Sequence, residues 1–199
     1  MKLPDTPALV LASTSVYRRD LLARLGLPFR QEAPAVDEAA LPTEAPAQVA
    51  LRLAVAKARA VAAQNARCLV LGSDQVAECA SAALGKPGGV EGARRQLRAC
   101  SGRSVTFHTA VCLIDTRSEP WLERSAADVT TVTFRDLTDT EIERYIDRER
   151  PFDCAGSFKA EGLGIALFER IDSHDPTGLI GLPLIAVCGL LREAGATLL

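Results

Sequence analysis

The sequence predicts an α/β fold, a mixed β-sheet flanked by helices. In the first half of the chain, short apolar runs alternate with segments of helical periodicity, which is typical of strands connected by helices. In the middle, two β-rich segments lie on either side of a short polar stretch, which favours an antiparallel pair. The 199 residues are 48% apolar, enough for one sizeable core, so we expect a single domain over residues 1–199.

The first half of the chain predicts two buried strands and three helices. An apolar run ends at Ala12, and leucines at helical spacing follow until Gly26, which is placed to end a helix. Segment 47–64 is almost continuously helix-forming and places Lys57 among alanines. The next predicted elements are a buried strand in RCLVLGSD, whose end carries Ser73 and Asp74, and a helix over 91–100.

The second half of the chain predicts a strand pair and two helices. Segments 105–115 and 127–134 can pair across the loop TRSEPW. Thr138 and Glu141 form a capping-box pattern that starts a helix, and this helix ends before Pro151. The remaining predicted elements are a loop and strand interrupted by Gly156, Gly162 and Gly164, and a last helix from Pro183 to Gly195.

The composition argues against several classes of function. A formal net charge of −2 and nine aromatic residues (six Phe, two Tyr and one Trp) disfavour binding to a nucleic-acid polymer. The longest apolar stretches are well short of the ~20 residues of a membrane span, so we expect no membrane partner. MKLPDTPALV runs directly into the first predicted strand, and we therefore expect no signal peptide.

The cysteines and histidines indicate a reducing environment and no zinc site. The six cysteines are scattered without a CxxC pair, which argues against structural zinc and against a disulfide framework. We expect free buried thiols and a cytoplasmic location. Two histidines are too few for a multi-histidine metal site.

A polar run separates the first predicted strand from its helix. Such a turn exposes free backbone N–H groups at the positive end of the helix dipole, where an anion can bind. Ser13 and Ser15 add hydroxyl donors, and Arg18 or Arg19 adds a guanidinium that matches phosphate oxygens. The other interpretation is a helix capped by Ser15 with both arginines in solvent, and the turn alone leaves both open. Its sequence matches neither the P-loop nor the dinucleotide-binding pattern.

Two further polar clusters favour a phosphate site. They comprise Asp37 and Glu38 in a Pro- and Ala-rich loop, Asp74 and Gln75 after a buried strand, and Lys86 in a turn rich in Gly and Pro. Carboxylates and lysines on neighbouring loops suit a polyphosphate that binds together with a divalent cation. Each residue alone is also consistent with a solvated surface, and the prediction depends on their combination.

The chain carries a series of blocks in a fixed order: LASTSVYRR, VDE, AVAKA, GSDQV, GKP, CAGSFKAEGLGIALFERI and DPTGLIGLPL. Together they resemble the Maf family of nucleoside triphosphate pyrophosphatases. The resemblance implies a Maf/ITPase-like mixed-sheet fold with an active-site cleft. It also implies hydrolysis of a nucleoside triphosphate substrate to monophosphate and pyrophosphate, with a divalent metal cation, Mg²⁺ or Mn²⁺, as cofactor. Val16 departs from the family, which often has proline there, but removes no chemical group.

The resemblance also implies roles for individual residues. Asp74 corresponds to the proposed general base, and Glu38 to an acidic partner that shares a metal ion with it. The phosphate-contacting positions are Ser13, Arg18, Lys57 and Lys86. The residues at the three specificity positions, Tyr17, Gln75 and Glu161, resemble those of the branch that prefers 7-methyl-GTP. The branch that acts on dTTP and UTP tends to carry Arg, Thr and Gln there.

Cleavage between the α- and β-phosphates requires water to attack the α-phosphorus, which depends on positioning and charge neutralisation. Whether Asp74 takes the proton or holds the metal that acidifies the water stays open. At the base, we expect Tyr17 to stack on the positively charged 7-methylguanine. We expect Glu161 to accept hydrogen bonds from N1–H and N2–H2, and Gln75 to donate one to O6.

Two other functions remain as alternatives: a pyrophosphatase that prefers dTTP or UTP, and a non-catalytic nucleotide sensor that regulates cell division. A sensor needs the phosphate-binding residues but neither Asp74 nor Glu38, so the presence of both favours an enzyme. The family-level expectation for its purpose is the removal of non-canonical nucleotides. The sequence leaves the oligomeric state open, with a homodimer as one option.

Overall fold

A mixed sheet of seven strands runs through the protein, whose computed structural model describes residues 8–199. The strands are β1 (Ala8–Ala12), β2 (Phe29–Glu32), β3 (Cys68–Cys79), β4 (Ala82–Leu84), β5 (Ser104–Asp115), β6 (Leu122–Phe134) and β7 (Phe168–Asp172). Their order is β2-β1-β3-β5-β6-β7, with β4 paired to the end of β3. Both neighbours of β1 are parallel to it, and the other pairs are antiparallel. The predicted mixed-sheet fold is therefore confirmed.

Helices cover both faces of the sheet. They are α1 (Val16–Ala23), α2 (Pro46–Ala62), α3 (Val90–Cys100), α4 (Asp139–Glu149) and α5 (Leu184–Glu193). Successive strand residues point to opposite faces, so in β1 Val10 packs with the alanines of α2, whereas Leu11 packs with α1 and α5. Short 3₁₀ helices occur at Ala155–Ser157, Leu163–Leu167 and Gly178–Ile180.

A third apolar cluster fills the space beneath α3 and α4. Its centre consists of aromatic rings in edge-to-face contact, with ring centroids 4.8–5.5 Å apart. These rings belong to Phe107, Phe134, Phe158 and Phe168. The cluster attaches the loop that follows α4 to the long antiparallel strands, and it therefore fixes the position of residues on that loop.

A close approach between α2 and β3 positions Lys57. A Cβ atom on Gly72 would lie 2.3 Å from the carbonyl oxygen of Ala54 and 2.7 Å from the amide nitrogen of Ala58. Glycine in the strand and alanine in the helix together allow the two backbones to approach. Lys57, on the same stretch of α2, consequently reaches the part of β3 that follows Gly72.

The prediction that the second strand ends at Asp74 is wrong. Parallel pairing with β1 stops at Gly72, but β3 continues to Cys79 because β5 and then β4 provide antiparallel partners. Asp74 therefore lies within a strand, just beyond the point where β1 has turned away. This change of partner leaves one side of β3 accessible from the cleft described below.

Several other predicted elements have the expected type with shifted boundaries. The first, second and last helices end within a few residues of their predicted ends, and α4 starts with the predicted capping box at Thr138 and Glu141. Strand β6 begins at Leu122, five residues before the predicted start at position 127. Strands β2 and β4 were not expected from the sequence.

Within residues 8–199, every helix is either too short or too polar to cross a bilayer. The expectation about a signal peptide concerns the N-terminal residues, and residues 1–7 lie outside the described range.

Candidate active site

A cleft of about 730 Å³ opens between the turn that joins β1 to α1 and the accessible part of β3. All nine residues predicted for the site line it: Ser13, Tyr17, Arg18, Glu38, Lys57, Asp74, Gln75, Lys86 and Glu161. These residues come from both halves of the chain, so the fold brings together polar groups that are distant in sequence.

Lys57 lies between the two predicted acidic residues. Its Nζ atom donates to Asp74 Oδ1 at 2.6 Å and is 2.7 Å from Glu38 Oε1. The side chains of Lys57 and Asp74 are 6% and 9% exposed, whereas Glu38 is 61% exposed on its loop. A buried charge needs a partner, and the two carboxylates together supply the counter-charge for Lys57.

The pKa values of the two carboxylates are shifted in opposite directions. Burial raises the pKa of Asp74 above its ordinary value, although the charge and hydrogen bond of Lys57 oppose the shift. Burial also favours protonation of Glu38, but its hydrogen bond and charge interaction with Lys57 keep its pKa below the usual range. Asp74 is therefore the better proton acceptor of the pair.

The turn between β1 and α1 has features of both interpretations of the polar run, the capped helix and the anion site. Ser15 caps α1 by accepting from the Arg18 amide, and the buried Ser13 hydroxyl accepts from the Ser15 amide. Arg18 faces inward, and its Nε donates to the Gly181 carbonyl at 2.9 Å. Arg19 instead pairs with its neighbour Asp20 at the surface. The helix is capped, and only the first arginine lines the cleft.

Arg18 is held close to the carboxylates of the site. Burial lowers the pKa of its guanidinium, although the negative charges of Asp74 and Glu38 oppose this shift. With Nε bonded to Gly181, the terminal nitrogens remain for an anionic ligand. Arg18, Lys57 and Lys86 all line the cleft, and the charges of all three act on Glu38, so three positive groups lie near this carboxylate.

Other residues that line the cleft are aromatic, apolar or acidic. They include Phe107, Phe158 and Leu179, together with Tyr17 and Glu161. The Tyr17 hydroxyl donates to Asp153 Oδ2 at 3.2 Å, which connects α1 to the loop after α4. Aromatic and apolar walls with a few polar groups are typical of a site for a flat, partly apolar ligand.

Gln75 is oriented opposite to the prediction. Its amide nitrogen donates to the carbonyl oxygens of Gly178 and Leu179 and to the Thr109 hydroxyl, at 2.9–3.1 Å. Carbonyl oxygens only accept, so they fix which end of the amide faces them. The amide nitrogen is therefore not available to donate to guanine O6, and the amide oxygen is the atom left for a ligand.

A loop near the end of the chain holds these side chains in place. The carbonyl of Gly181 accepts from Arg18 and from the buried Ser73 hydroxyl, at 2.9 and 3.0 Å. Gly181 has a φ of 117°, in the region that favours glycine. The buried Asp175 accepts from Thr177 and from the Ile185 amide in the first turn of α5, and this anchors the loop.

Comparisons with known proteins show to which family the chain belongs. The family model described as Maf-like protein matches residues 8–194. The chain belongs to this family. A protein from Xanthomonas axonopodis pv. citri, named 7-methyl-GTP pyrophosphatase, is 57% identical over 189 residues, which cover 95% of this chain and 97% of that protein.

Two other relatives carry the same name. The protein from Cupriavidus metallidurans is 53% identical over 190 residues, covering 95% of this Maf-like chain and 94% of its own length. The protein from Albidiferax ferrireducens is 52% identical over 199 residues, which cover 100% of this chain and 99% of that protein. The similarity thus extends over the cleft and the loop near the end of the chain.

A divalent cation fits this Maf-like site only together with a nucleotide. Across the described residues, 8–199, His, Cys, Asp and Glu form no group of three or more that could hold a metal by itself. In nucleotide sites Mg²⁺ is commonly held by one or two carboxylates and by the substrate phosphates. Glu38 and Asp74, which meet at Lys57 Nζ, match this arrangement.

The sequence analysis assigned no role in the site to four residues that organise it. Ser73 and Thr109 are buried hydroxyls that bond the loop near the chain end, and Asp175 anchors this loop. Asp153 accepts from Tyr17. Only Asp175 had a usable local signal, because Asp-Pro-Thr-Gly is a turn pattern in which the aspartate bonds nearby amides.

Proposed function

We propose that the protein hydrolyses 7-methyl-GTP to 7-methyl-GMP and pyrophosphate. The observation that carries the proposal is the lining of the cleft, which combines three cationic side chains grouped around Glu38 and a buried carboxylate with aromatic, apolar and acidic residues. This matches a triphosphate followed by a positively charged base. The shared name of relatives at 52–57% identity supports the same substrate.

At the phosphate end, Arg18, Lys57 and Lys86 bind the triphosphate and neutralise its charge, with Ser13 as an additional donor. A water oxygen forms a bond to the α-phosphorus while the bond to the bridging oxygen breaks, and pyrophosphate leaves with that electron pair. Asp74 Oδ1 is bonded to Lys57, so Oδ2 takes the proton from water. Mg²⁺ or Mn²⁺, held by Glu38 and Asp74, supplies further charge neutralisation when bound.

At the base end, Tyr17 stacks on 7-methylguanine, whose ring carries a positive charge. Glu161 and the amide oxygen of Gln75 are both acceptors, and they suit the adjacent donors N1–H and N2–H2 of guanine. Uracil and thymine have a single N3–H donor between two carbonyls. If Glu161 and Gln75 both accept, only one of these two side chains can bond N3–H, and the other faces a carbonyl oxygen of the base. The orientation of Gln75 therefore supports guanine over the pyrimidines.

The test is pyrophosphate release from a panel of nucleotides: 7-methyl-GTP, GTP, ATP, dTTP and UTP, each with Mg²⁺ or Mn²⁺. We expect 7-methyl-GTP to have the highest kcat/KM, and Glu161→Gln to reduce it by about 10-fold while pyrimidines are affected less. A preference for dTTP or UTP in the unaltered protein would contradict the base assignment. No release from any nucleotide would contradict the enzyme and favour a nucleotide sensor.

Within the same proposal, the chain acts as one domain, in agreement with a family model that spans residues 8–194. Its purpose is the removal of modified nucleotides before they are used in synthesis, and its location is the cytoplasm. Size-exclusion chromatography with light scattering tests the homodimer, which the sequence leaves open.

A further inference from the structure

Asp153 is a second carboxylate at the base end of the cleft. It lies on the loop after α4, lines the cleft together with Cys154 and Glu161, and accepts from the Tyr17 hydroxyl at 3.2 Å. The Cys154 thiol, a single weak donor, lies next to both groups, with Sγ 3.9 Å from the Tyr17 hydroxyl oxygen and 3.5 Å from Asp153 Oδ1. Tyr17 therefore lines the cleft while its hydroxyl is held by an acidic side chain.

The charge of Asp153 is only weakly compensated. Its nearest cation is Lys159, whose Nζ is 3.9 Å from Oδ1, and the Asp153 side chain is 58% exposed. An ion pair this long and this exposed contributes little. Glu161 adds a second carboxylate to the lining of the same cleft.

At neutral pH, Tyr17 is protonated and Asp153 is ionised, which maintains the hydrogen bond between them. Burial raises the pKa of Tyr17, with Cys154 and Asp153 acting in the same direction, so the phenol stays protonated and donates. Burial also favours the protonated form of Asp153. Its own backbone N–H, Lys159 and the Tyr17 hydroxyl outweigh this and keep its pKa below the ordinary value.

We propose that Asp153 determines specificity for a cationic base, through its own charge and through the Tyr17 ring. A phenol that donates to an anion carries more electron density in its ring, which strengthens stacking against a positive charge. The carboxylate also attracts that charge directly. GTP, with a neutral guanine, gains from neither effect. The inference rests on the proposed function, because it concerns how the same cleft distinguishes methylated from unmethylated guanine.

The experiment measures kcat/KM for 7-methyl-GTP and for GTP in the Asp153→Asn variant, which keeps the side-chain shape. We expect the ratio of the two values to fall by about 3- to 10-fold, the size of a partly exposed cation–π and charge interaction. The loss on GTP should be smaller than the loss on 7-methyl-GTP. Asp147→Asn, an exposed change on α4 away from the cleft, controls for loss of one negative charge.

A second variant and a binding measurement make the test independent of folding and turnover. Tyr17→Phe keeps the ring but removes the bond to Asp153, so it should lower the same ratio by a smaller factor, and adding it to Asp153→Asn should change the ratio little further. Calorimetry with the products 7-methyl-GMP and GMP should show the same reduction in preference.

The failures of the two proposals are distinguishable. If the unaltered protein does not prefer 7-methyl-GTP over GTP, both the substrate and the role of Asp153 are wrong. If it does prefer 7-methyl-GTP and Asp153→Asn keeps the ratio, the substrate assignment survives and the inference about Asp153 is overturned. An equal loss on both nucleotides also overturns it, because that result indicates a general structural role.

Discussion

Asp74→Asn should destabilise the fold as well as stop catalysis. The variant removes one carboxylate from Lys57, whose side chain is 6% exposed and whose Nζ lies 2.6 Å from Asp74. Removing one partner of a buried ion pair costs about 3–5 kcal/mol. Glu38 still bonds Lys57 at 2.7 Å, and asparagine keeps an acceptor oxygen, so we expect the lower end of this range, about 3 kcal/mol. For a chain of this size, that corresponds to a decrease in Tm of roughly 6–12 °C.

Urea and thermal unfolding of a double-mutant cycle measure this cost. Lys57→Met combined with Asp74→Asn removes both charges of this buried pair, so the double variant should be more stable than Asp74→Asn alone. Glu38→Gln is the matched control: its side chain is 61% exposed, and its loss should change the free energy of unfolding by less than about 1 kcal/mol.

Catalysis is measured at a temperature well below the Tm of the variant. Loss of the proton acceptor should reduce pyrophosphate release at least ~100-fold. Unchanged stability of Asp74→Asn, with no recovery in the double variant, would refute the argument for a buried, interdependent ion pair. Hydrolysis near the unaltered rate would exclude Asp74 both as base and as metal ligand.

Three other measurements address the turn, the cysteines and a helix cap. Arg18→Ala should lower kcat/KM by about 10- to 100-fold, the value of a charged hydrogen bond. Arg19→Ala should stay within about twofold, and similar small effects from both would leave the turn as a capped helix. A reducing agent should not lower the Tm, since the six cysteines are free; a fall of several degrees would indicate a disulfide in solution. Bonds from the Thr138 amide and hydroxyl, then from Arg135, lower the pKa of Glu141 from 4.5 to about 2. The stabilisation of the fold by ionised Glu141 is complete above pH 4.5 and is lost as the pH falls toward 2. The difference in unfolding free energy between Glu141→Gln and the unaltered protein should therefore be larger at pH 6 than at pH 2, and a pH-independent difference would contradict the cap.

The parts of the fold that were predictable have local causes. The capping box at Thr138, the alanine-rich α2 and the apolar run of β1 each specify their element without help from distant residues. Strand β2, with the sequence FRQE, has no apolar alternation and lies at the edge of the sheet. It is a strand because β1 supplies parallel hydrogen bonds, and this partner cannot be inferred from four polar or half-buried residues.

The site was predictable in its members but not in its geometry. The resemblance to the Maf family, together with the polar clusters of the sequence, identified nine residues that line one cleft. The orientation of Gln75 depends on carbonyl groups 103 and 104 residues away, and no local pattern encodes them. Likewise, only the approach of α2 to Gly72 places Lys57 between Asp74 and Glu38.

The loop that carries Gly178 and Gly181 has a consequence for the order in which activity can arise during synthesis. The Gly181 carbonyl accepts from Arg18 and Ser73 across sequence separations of 163 and 108 residues. On a ribosome, the strands and cations of the N-terminal half emerge first, and the groups that orient them emerge only after the long intervening sequence. A nascent chain that stops before this loop therefore displays the phosphate-binding residues without the means to arrange them. Such shortened products should be unable to hydrolyse the nucleotide pool, and turnover begins only after the loop has been made.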